Sequence, residues 1–266
     1  MSYIEVARGI RLFYEDWGSG PVILFLHGWT MSHKVWAYQT SELAYRFRTI
    51  ALDLRGHGSS DKPFSAYSYQ EYANDIQNFI RKLDLWEVTL VGWSMGAAIG
   101  IEYLRLFGDR VAKFVSVAGA VPKYVAGPDW PYGLPLDTIQ AWLTGLRHQR
   151  PELAEEFSSA IFKSDTVGRM TKHWIWEIIM EASWVAATRS LMSLRDADLR
   201  DFVPKIRVPT AIFHGARDDI TYLEAATWMA AHLPQARLII FTESGHAPFI
   251  DEIDKFNREI ERFILE

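Results

Sequence analysis

Cysteine is absent from the 266 residues. That absence excludes disulfides, thiolate metal sites and a cysteine nucleophile, and it fits a reducing compartment. Long apolar runs are missing as well: nothing approaches the roughly 18 uncharged apolar residues that a membrane span needs. Glu5 and Arg8 interrupt the N-terminal region where a signal peptide would carry its apolar core. There is no lysine- or arginine-rich run and the formal net charge is −5, so neither nucleic acid nor an anionic membrane is an expected partner. A P-loop, a dinucleotide-binding glycine fingerprint and an HExxH helix are all lacking, so no cofactor and no metal are expected. Internal repeats and low-complexity tracts do not occur. These absences leave a globular protein, expected in the cytoplasm, with nothing that specifies an oligomer.

What is present is ordinary in amount and informative in order. Hydrophobic residues make up 49% and charged residues 23% of the chain, enough apolar material for a sizeable core. At about 150 residues per domain the length is compatible with one large α/β unit. Ile4 and Val6, then Ile10, Leu12 and Tyr14, alternate about Arg8-Gly9 and predict an antiparallel hairpin. Beyond it the strand signal becomes short and continuously apolar, at 22–26, 49–52, 88–91, 114–118, 211–213 and 238–241. Such runs suit strands buried on both faces, as in a parallel sheet. Helical stripes alternate with them, for example Tyr72, Ile76, Phe79, Ile80 and Leu83, or Ile253, Phe256, Ile260 and Phe263. The alternation predicts a mostly parallel, doubly wound α/β sheet.

One segment breaks this rhythm. Between Ala118 and Thr210 no strand is evident, and three stripes read as helices: Ile139, Trp142, Leu143 and Leu146; Leu153, Phe157 and Ile161; Trp174, Ile175, Ile178 and Ile179. A Pro/Gly cluster at 122–135 reads as the hinge into an inserted helical subdomain. Five of the eleven tryptophans (130, 142, 174, 176 and 184) fall here, which suits a cap with an apolar underside.

The run 88–91 leads into Gly92-Trp93-Ser94-Met95-Gly96 and then a small-residue helix. This is the G-x-S-x-G nucleophile elbow in its proper setting, strand before and helix after. Chance placement of Gly and Ser would yield about 0.07 such matches in a chain of this composition. A serine hydroxyl is a weak nucleophile and needs a base, which in turn needs an orienting carboxylate. His246 lies in a Gly/Pro loop directly after the run 238–241, at the end of a strand where α/β sites assemble. The acid should follow the preceding strand, where Asp218 and Asp219 stand side by side and either one qualifies. His57, on the loop Asp53-Leu54-Arg55-Gly56-His57-Gly58, is read as tying a tight turn. An oxyanion needs two preorganised donors. The backbone N–H of Met95 is one; Gly28 lets the chain approach closely so that the N–H of Trp29 becomes the other. Gly28, Trp29 and Trp93 thereby also become substrate-binding candidates.

With these landmarks in order, the chain resembles the α/β-hydrolase superfamily over essentially its whole length. His27-Gly28-Trp29, Gly92-Trp93-Ser94 and Gly245-His246-Ala247-Pro248-Phe249 are most similar to the BioH-type carboxylesterases. The resemblance implies an α/β-hydrolase core at 1–121 and 191–266 with a helical cap at 122–190. It implies a catalytic set of Ser94, Asp218 and His246, since the family's HG-x-x-D acid maps onto Asp218 rather than Asp219. It further implies hydrolysis of small to medium carboxylic esters through an acyl-enzyme, without a cofactor. Branches that use an aspartate nucleophile, the haloalkane dehalogenases and epoxide hydrolases, are disfavoured by Ser94. Lactonases, perhydrolases and C–C bond hydrolases share the same catalytic set, and some members of the superfamily are non-catalytic receptors.

BioH-type relatives also imply a substrate carried on acyl carrier protein, an acidic partner. The charges here disfavour it. Residues 122–190 hold seven basic against eight acidic groups, Asp165 among the latter, for a net of −1. The single basic cluster, Arg147, His148 and Arg150, is followed at once by Glu152, Glu155 and Glu156. A free small-molecule ester is the expected substrate.

Overall fold

In the computed structural model, which describes residues 2–163 and 167–266, the chain opens with the expected hairpin, β1 (Ser2–Ala7) and β2 (Ile10–Trp17). Asp165, counted above among the cap's acids, lies outside the described residues. β2 runs antiparallel to β4 (Arg48–Leu52), and from there every pairing is parallel: β4 with β3 (Val22–Leu26), β3 with β5 (Val88–Trp93), then β6 (Val111–Val117), β7 (Thr210–Gly215) and β8 (Ala236–Phe241). The order across the eight-stranded sheet is β1-β2-β4-β3-β5-β6-β7-β8. All six residues of β5 are buried, whichever way their side chains point, so both faces of the sheet are covered.

Two helical groups provide the cover. α1 (Ala37–Leu43), α9 (Pro248–Asp251) and α10 (Ile253–Leu265) pack together, and Trp36 beside them places its ring 4.9 Å from Phe25 of β3 and 4.5 Å from Phe249. α2 (Tyr69–Lys82) packs on α3 (Met95–Leu106), and its Phe79 meets Tyr14 edge-on at 5.0 Å. α2 starts on a capping box: the Ser68 hydroxyl accepts from the Glu71 N–H while the Glu71 carboxylate accepts from the Ser68 N–H. α8 (Leu223–His232) lies against β7 and β8.

The topology also says where a ligand should sit. From β3 the chain moves to β4 on one side, then crosses back to β5 on the other side of β3. The loops leaving the C-terminal ends of β3 and β5 therefore diverge and open a crevice, the switch point where doubly wound sheets bind ligands.

Four helices enter between β6 and β7: α4 (Leu136–His148), α5 (Arg150–Ala160), α6 (Arg169–Glu181) and α7 (Trp184–Asp196). The three expected stripes fall on α4, α5 and α6. α7 has no counterpart in the apolar periodicity because its buried face is Ala186, Ala187, Ser190, Leu191 and Leu194, too rich in small residues to stand out. It runs through position 190, where the sequence alone ended the cap. No helix among the described residues is long and apolar enough to cross a membrane.

Candidate active site

Ser94 is the hinge between β5 and α3, at φ 54° and ψ −115°. A residue with a Cβ is strained there, and such outliers persist only when their surroundings over-determine them. The surroundings do so. Ser94 N–H donates to the Val117 carbonyl (2.9 Å), and the Ser94 carbonyl accepts from the N–H groups of Ala97 (3.0 Å) and Ala120 (3.1 Å). The flanking glycines are required by space. A Cβ on Gly92 would lie 2.5 Å from the Gly96 carbonyl oxygen, and one on Gly96 would lie 2.5 Å from that of Leu26. A sharp elbow brings strand, helix and the end of β3 into backbone contact, so only hydrogen fits at these two positions.

The loops after β7 and β8 meet at similarly short range, since a Cβ on Gly215 would fall 2.0 Å from the Gly245 carbonyl oxygen. That contact brings Asp218 to His246: Nδ1–H of the imidazole donates to Asp218 Oδ2 at 2.8 Å. Oδ2 also accepts from the Thr221 hydroxyl (2.7 Å), and Oδ1 accepts from the N–H groups of Ile220 (2.8 Å) and Thr221 (3.0 Å). Burial alone would push the Asp218 carboxyl up; His246, His214 and these donors together hold it below the ordinary value, so it stays a carboxylate. His246 is fixed at both backbone ends, its N–H donating to Ile161 O (2.8 Å) and its carbonyl accepting from the Trp93 indole (2.7 Å). Its Nε2 is buried and has no hydrogen-bond partner among the described residues.

The two adjacent acids are separated plainly. Asp218 is 7% exposed, whereas the Asp219 side chain is 76% exposed and pairs with Lys163 at 2.8 Å. His214 is buried too, its Nε2–H donating to the Thr221 carbonyl (2.8 Å), so it braces the acid's loop. Thr221 went unrecognised in the sequence: a lone threonine in a loop carries no signal until the turn that folds it back on Asp218 is known.

Around the crevice, the loop after β3 lies against the elbow. A Cβ on Gly28 would stand 3.3 Å from Ser94 Cβ and 3.1 Å from the Trp93 ring. His27 shapes this loop. Its Nε2 accepts from the Leu54 N–H (3.0 Å), so Nδ1 carries the proton and donates to the Gly28 carbonyl (2.8 Å), and burial pushes its pKa down to about 4. His57 ties its own turn through Nδ1–H to the Arg55 carbonyl (2.9 Å), as read from the sequence; burial and then neighbouring His27 lower it to about 3. Met95 is the first residue of α3, with its N–H at the positive end of the helix.

The structure thus joins Asp218 to His246, seats Trp93 on His246 and puts Gly28 beside Ser94. It does not join the Ser94 hydroxyl to His246 Nε2 by a hydrogen bond, a contact that tightens in many enzymes only when substrate binds. The Trp29 side chain turns away, toward α4, α5 and α7. No cluster of three His, Asp or Glu side chains suited to a metal ion occurs among the described residues. A groove of about 630 Å³ between the segment 64–71 and α7 shares no residue with this site.

Comparison with known proteins agrees with this architecture. The family model described as alpha/beta hydrolase fold matches residues 21–253. The AB hydrolase superfamily protein YisY of Bacillus subtilis (strain 168) is 36% identical over 98% of this chain and 98% of its own length. The pimeloyl-[acyl-carrier protein] methyl ester esterase of Nitrosomonas europaea is 29% identical over 91% of this chain and 95% of its own. Among solved structures, an esterase from Exiguobacterium antarcticum superposes with a TM-score of 0.97 at 33% identity, covering 100% of this chain and 99% of that one.

Proposed function

The chain belongs to the alpha/beta hydrolase fold family, and from that premise we propose that it is a serine carboxylesterase acting on small to medium carboxylic esters. Ser94 Oγ attacks the ester carbonyl as His246 Nε2 takes its proton. The N–H groups of Met95 and Trp29 stabilise the oxyanion of the tetrahedral intermediate. Collapse of that intermediate breaks the C–O bond, and His246 returns the proton to the departing alcohol. Water then enters, His246 removes its proton, and the second tetrahedral intermediate breaks down to the acid and free Ser94. Asp218 keeps the imidazole in the tautomer with Nδ1 protonated and stabilises the imidazolium in both halves. The insertion, from residue 122 through the end of α7, roofs the site as a cap.

The observation that carries this reading is the buried Asp218–His246 pair. One imidazole nitrogen is held at 2.8 Å by a carboxylate and the other has no partner among the described residues, while the indole of Trp93, the residue before Ser94 and its strained elbow, donates to the His246 carbonyl. Lactones, peroxide as acyl acceptor, or a C–C bond would use the same groups, so the substrate panel matters. The test is turnover of p-nitrophenyl acetate and butyrate alongside a lactone, a thioester and peroxide as acceptor, for the wild type and Ser94→Ala. Esters should give the highest kcat/KM, and Ser94→Ala should lose about 10⁵–10⁶ of kcat while remaining folded. A folded Ser94→Ala protein retaining a tenth of the activity overturns the reading.

A further inference from the structure

We infer that the indole of Trp29 couples the cap to the oxyanion hole: it is a positioning group through which the docked cap helps hold the Trp29 backbone N–H in place. The inference rests on the esterase reading, in which that N–H is one of the two oxyanion donors. Three helices of the insertion grip this one side chain. Its Nε1–H donates to the Ala187 carbonyl of α7 at 2.8 Å. Trp142 of α4 stacks on it, nearly parallel at 8° with centroids 5.8 Å apart, and Phe157 of α5 meets it edge-on at 5.4 Å.

The backbone behind the indole is strained. Thr30, the next residue, sits at φ 59°, a conformation that a β-branched residue adopts only under constraint. Its hydroxyl donates to the Trp29 carbonyl (2.6 Å), and Met31 N–H closes a turn onto the Gly28 carbonyl (3.2 Å). The Gly28–Trp29 peptide that carries this N–H is also held through the Gly28 carbonyl, which accepts from His27 Nδ1–H (2.8 Å) and Met31 N–H (3.2 Å), so loss of the indole anchor tilts the Trp29 N–H against those two bonds rather than freeing it. Nothing comparable affects Met95, whose N–H is fixed by α3 inside the core. Cap docking therefore refines one of the two donors and leaves the other unchanged, so closure over substrate strengthens the site.

Trp29→Phe tests this, because it keeps a ring to pack against Trp142 and Phe157 and keeps the backbone N–H, while losing the bond to Ala187 together with the second ring of the indole. With p-nitrophenyl butyrate, kcat should fall about tenfold, the scale of one lost buried hydrogen bond. KM should change less than twofold, because the ground-state ester does not use the oxyanion donors at full strength. Binding of phenylboronic acid, which forms a tetrahedral adduct on the serine, should weaken by the same factor as kcat; a merely structural role would leave it unmoved in the folded protein. Trp142→Leu, which removes the stacking partner from the cap side, should shift both quantities in the same direction by about threefold and decides the matter if Trp29→Phe fails to fold. Ester turnover and boronate binding within twofold of wild type in the folded variant overturn the coupling alone. A wild type that neither turns over esters nor binds the boronic acid overturns the esterase reading, and this inference with it.

Discussion

Thr221 gives its hydroxyl to the same Asp218 oxygen that holds His246, at 2.7 Å on one side and 2.8 Å on the other. With two backbone N–H groups on Oδ1, the carboxylate accepts four hydrogen bonds inside a buried pocket. A carboxylate so supplied is fixed in orientation as well as charge, and it can hold an imidazole ring in one tautomer and one plane.

Thr221→Val removes one of those bonds at nearly constant volume. The expected result is a three- to tenfold drop in kcat with KM nearly unchanged, and recovery by Thr221→Ser. Steady-state kinetics on a chromogenic ester check it. A valine variant with wild-type kcat would mean that the backbone donors alone orient the acid.

The neighbouring acids should behave oppositely. Asp218→Asn should lower kcat about 10⁴-fold, since an amide beside Nδ1 favours the wrong tautomer. Asp219→Asn should leave kcat within twofold, because it removes only an exposed pair with Lys163. A larger loss at Asp219 would reassign the acid.

Acid sensitivity of the fold follows from two histidines that do no chemistry. His27 and His57 are buried neutral, with pKa values pushed down to about 4 and about 3, whereas an unfolded histidine titrates near 6.5. Between those limits the unfolded chain binds more protons than the folded one, so stability rises with pH there and is fully present only above about 6.5. It is lost progressively as pH falls toward about 4, by an amount on the order of 3 kcal/mol for His27 alone. Asp218, also depressed, adds its own loss only at lower pH, as protons reach a carboxylate. Thermal melts should show Tm falling steadily from pH 6.5 to 4.5, and a level Tm across that range would refute the assignment.

Much of the fold is legible in the sequence. Each apolar run lies within or across a strand of the sheet; the central strands are buried on both faces, which favours apolar residues throughout, whereas the run 238–241 falls on the half-exposed edge strand β8. The elbow and Gly245-His246 were legible for a steric reason: Gly92, Gly96 and Gly215 stand where a side chain would collide with backbone, and such constraints leave a fixed spelling. α7 was not legible, since Ala186, Ala187 and Ser190 pack by being small and leave no amphipathic stripe. Nor were Thr221 and the Trp29–Ala187 bond, which join residues through turns and helix docking rather than through periodicity. Asp218 and Asp219 are equivalent on the residues alone; the family resemblance favours Asp218, and the turn that aims Asp218 at His246 while leaving Asp219 exposed agrees with it.

The carrier of the alcohol or acyl group should influence turnover. A relative acts on a methyl ester borne by acyl carrier protein, an acidic partner that is steered by exposed basic groups. In this chain three of the seven basic residues of the insertion are engaged with the protein itself. Arg150 Nη2 donates to the carbonyls of Ile179 (3.4 Å), Met180 (3.2 Å) and Ala182 (2.6 Å), closing the end of α6. Lys163 pairs with Asp219 at 2.8 Å, and Lys123 stands 3.4 Å from Asp198 and 3.7 Å from Asp129. The cluster Arg147, His148 and Arg150 is thereby reduced by its only half-buried arginine, and the net charge of −5 repels an acidic partner at long range. Free small esters should therefore exceed carrier-linked methyl esters in kcat/KM, with little change between about 0.05 and 0.5 M salt, a range over which exposed charges are progressively screened. Side-by-side kinetics on a methyl or aryl ester and on a carrier-linked methyl ester decide it. A carrier-linked substrate that wins tenfold at low salt and loses that advantage at high salt would show that Arg147, Arg169, Lys172 and Arg189 form a docking face after all.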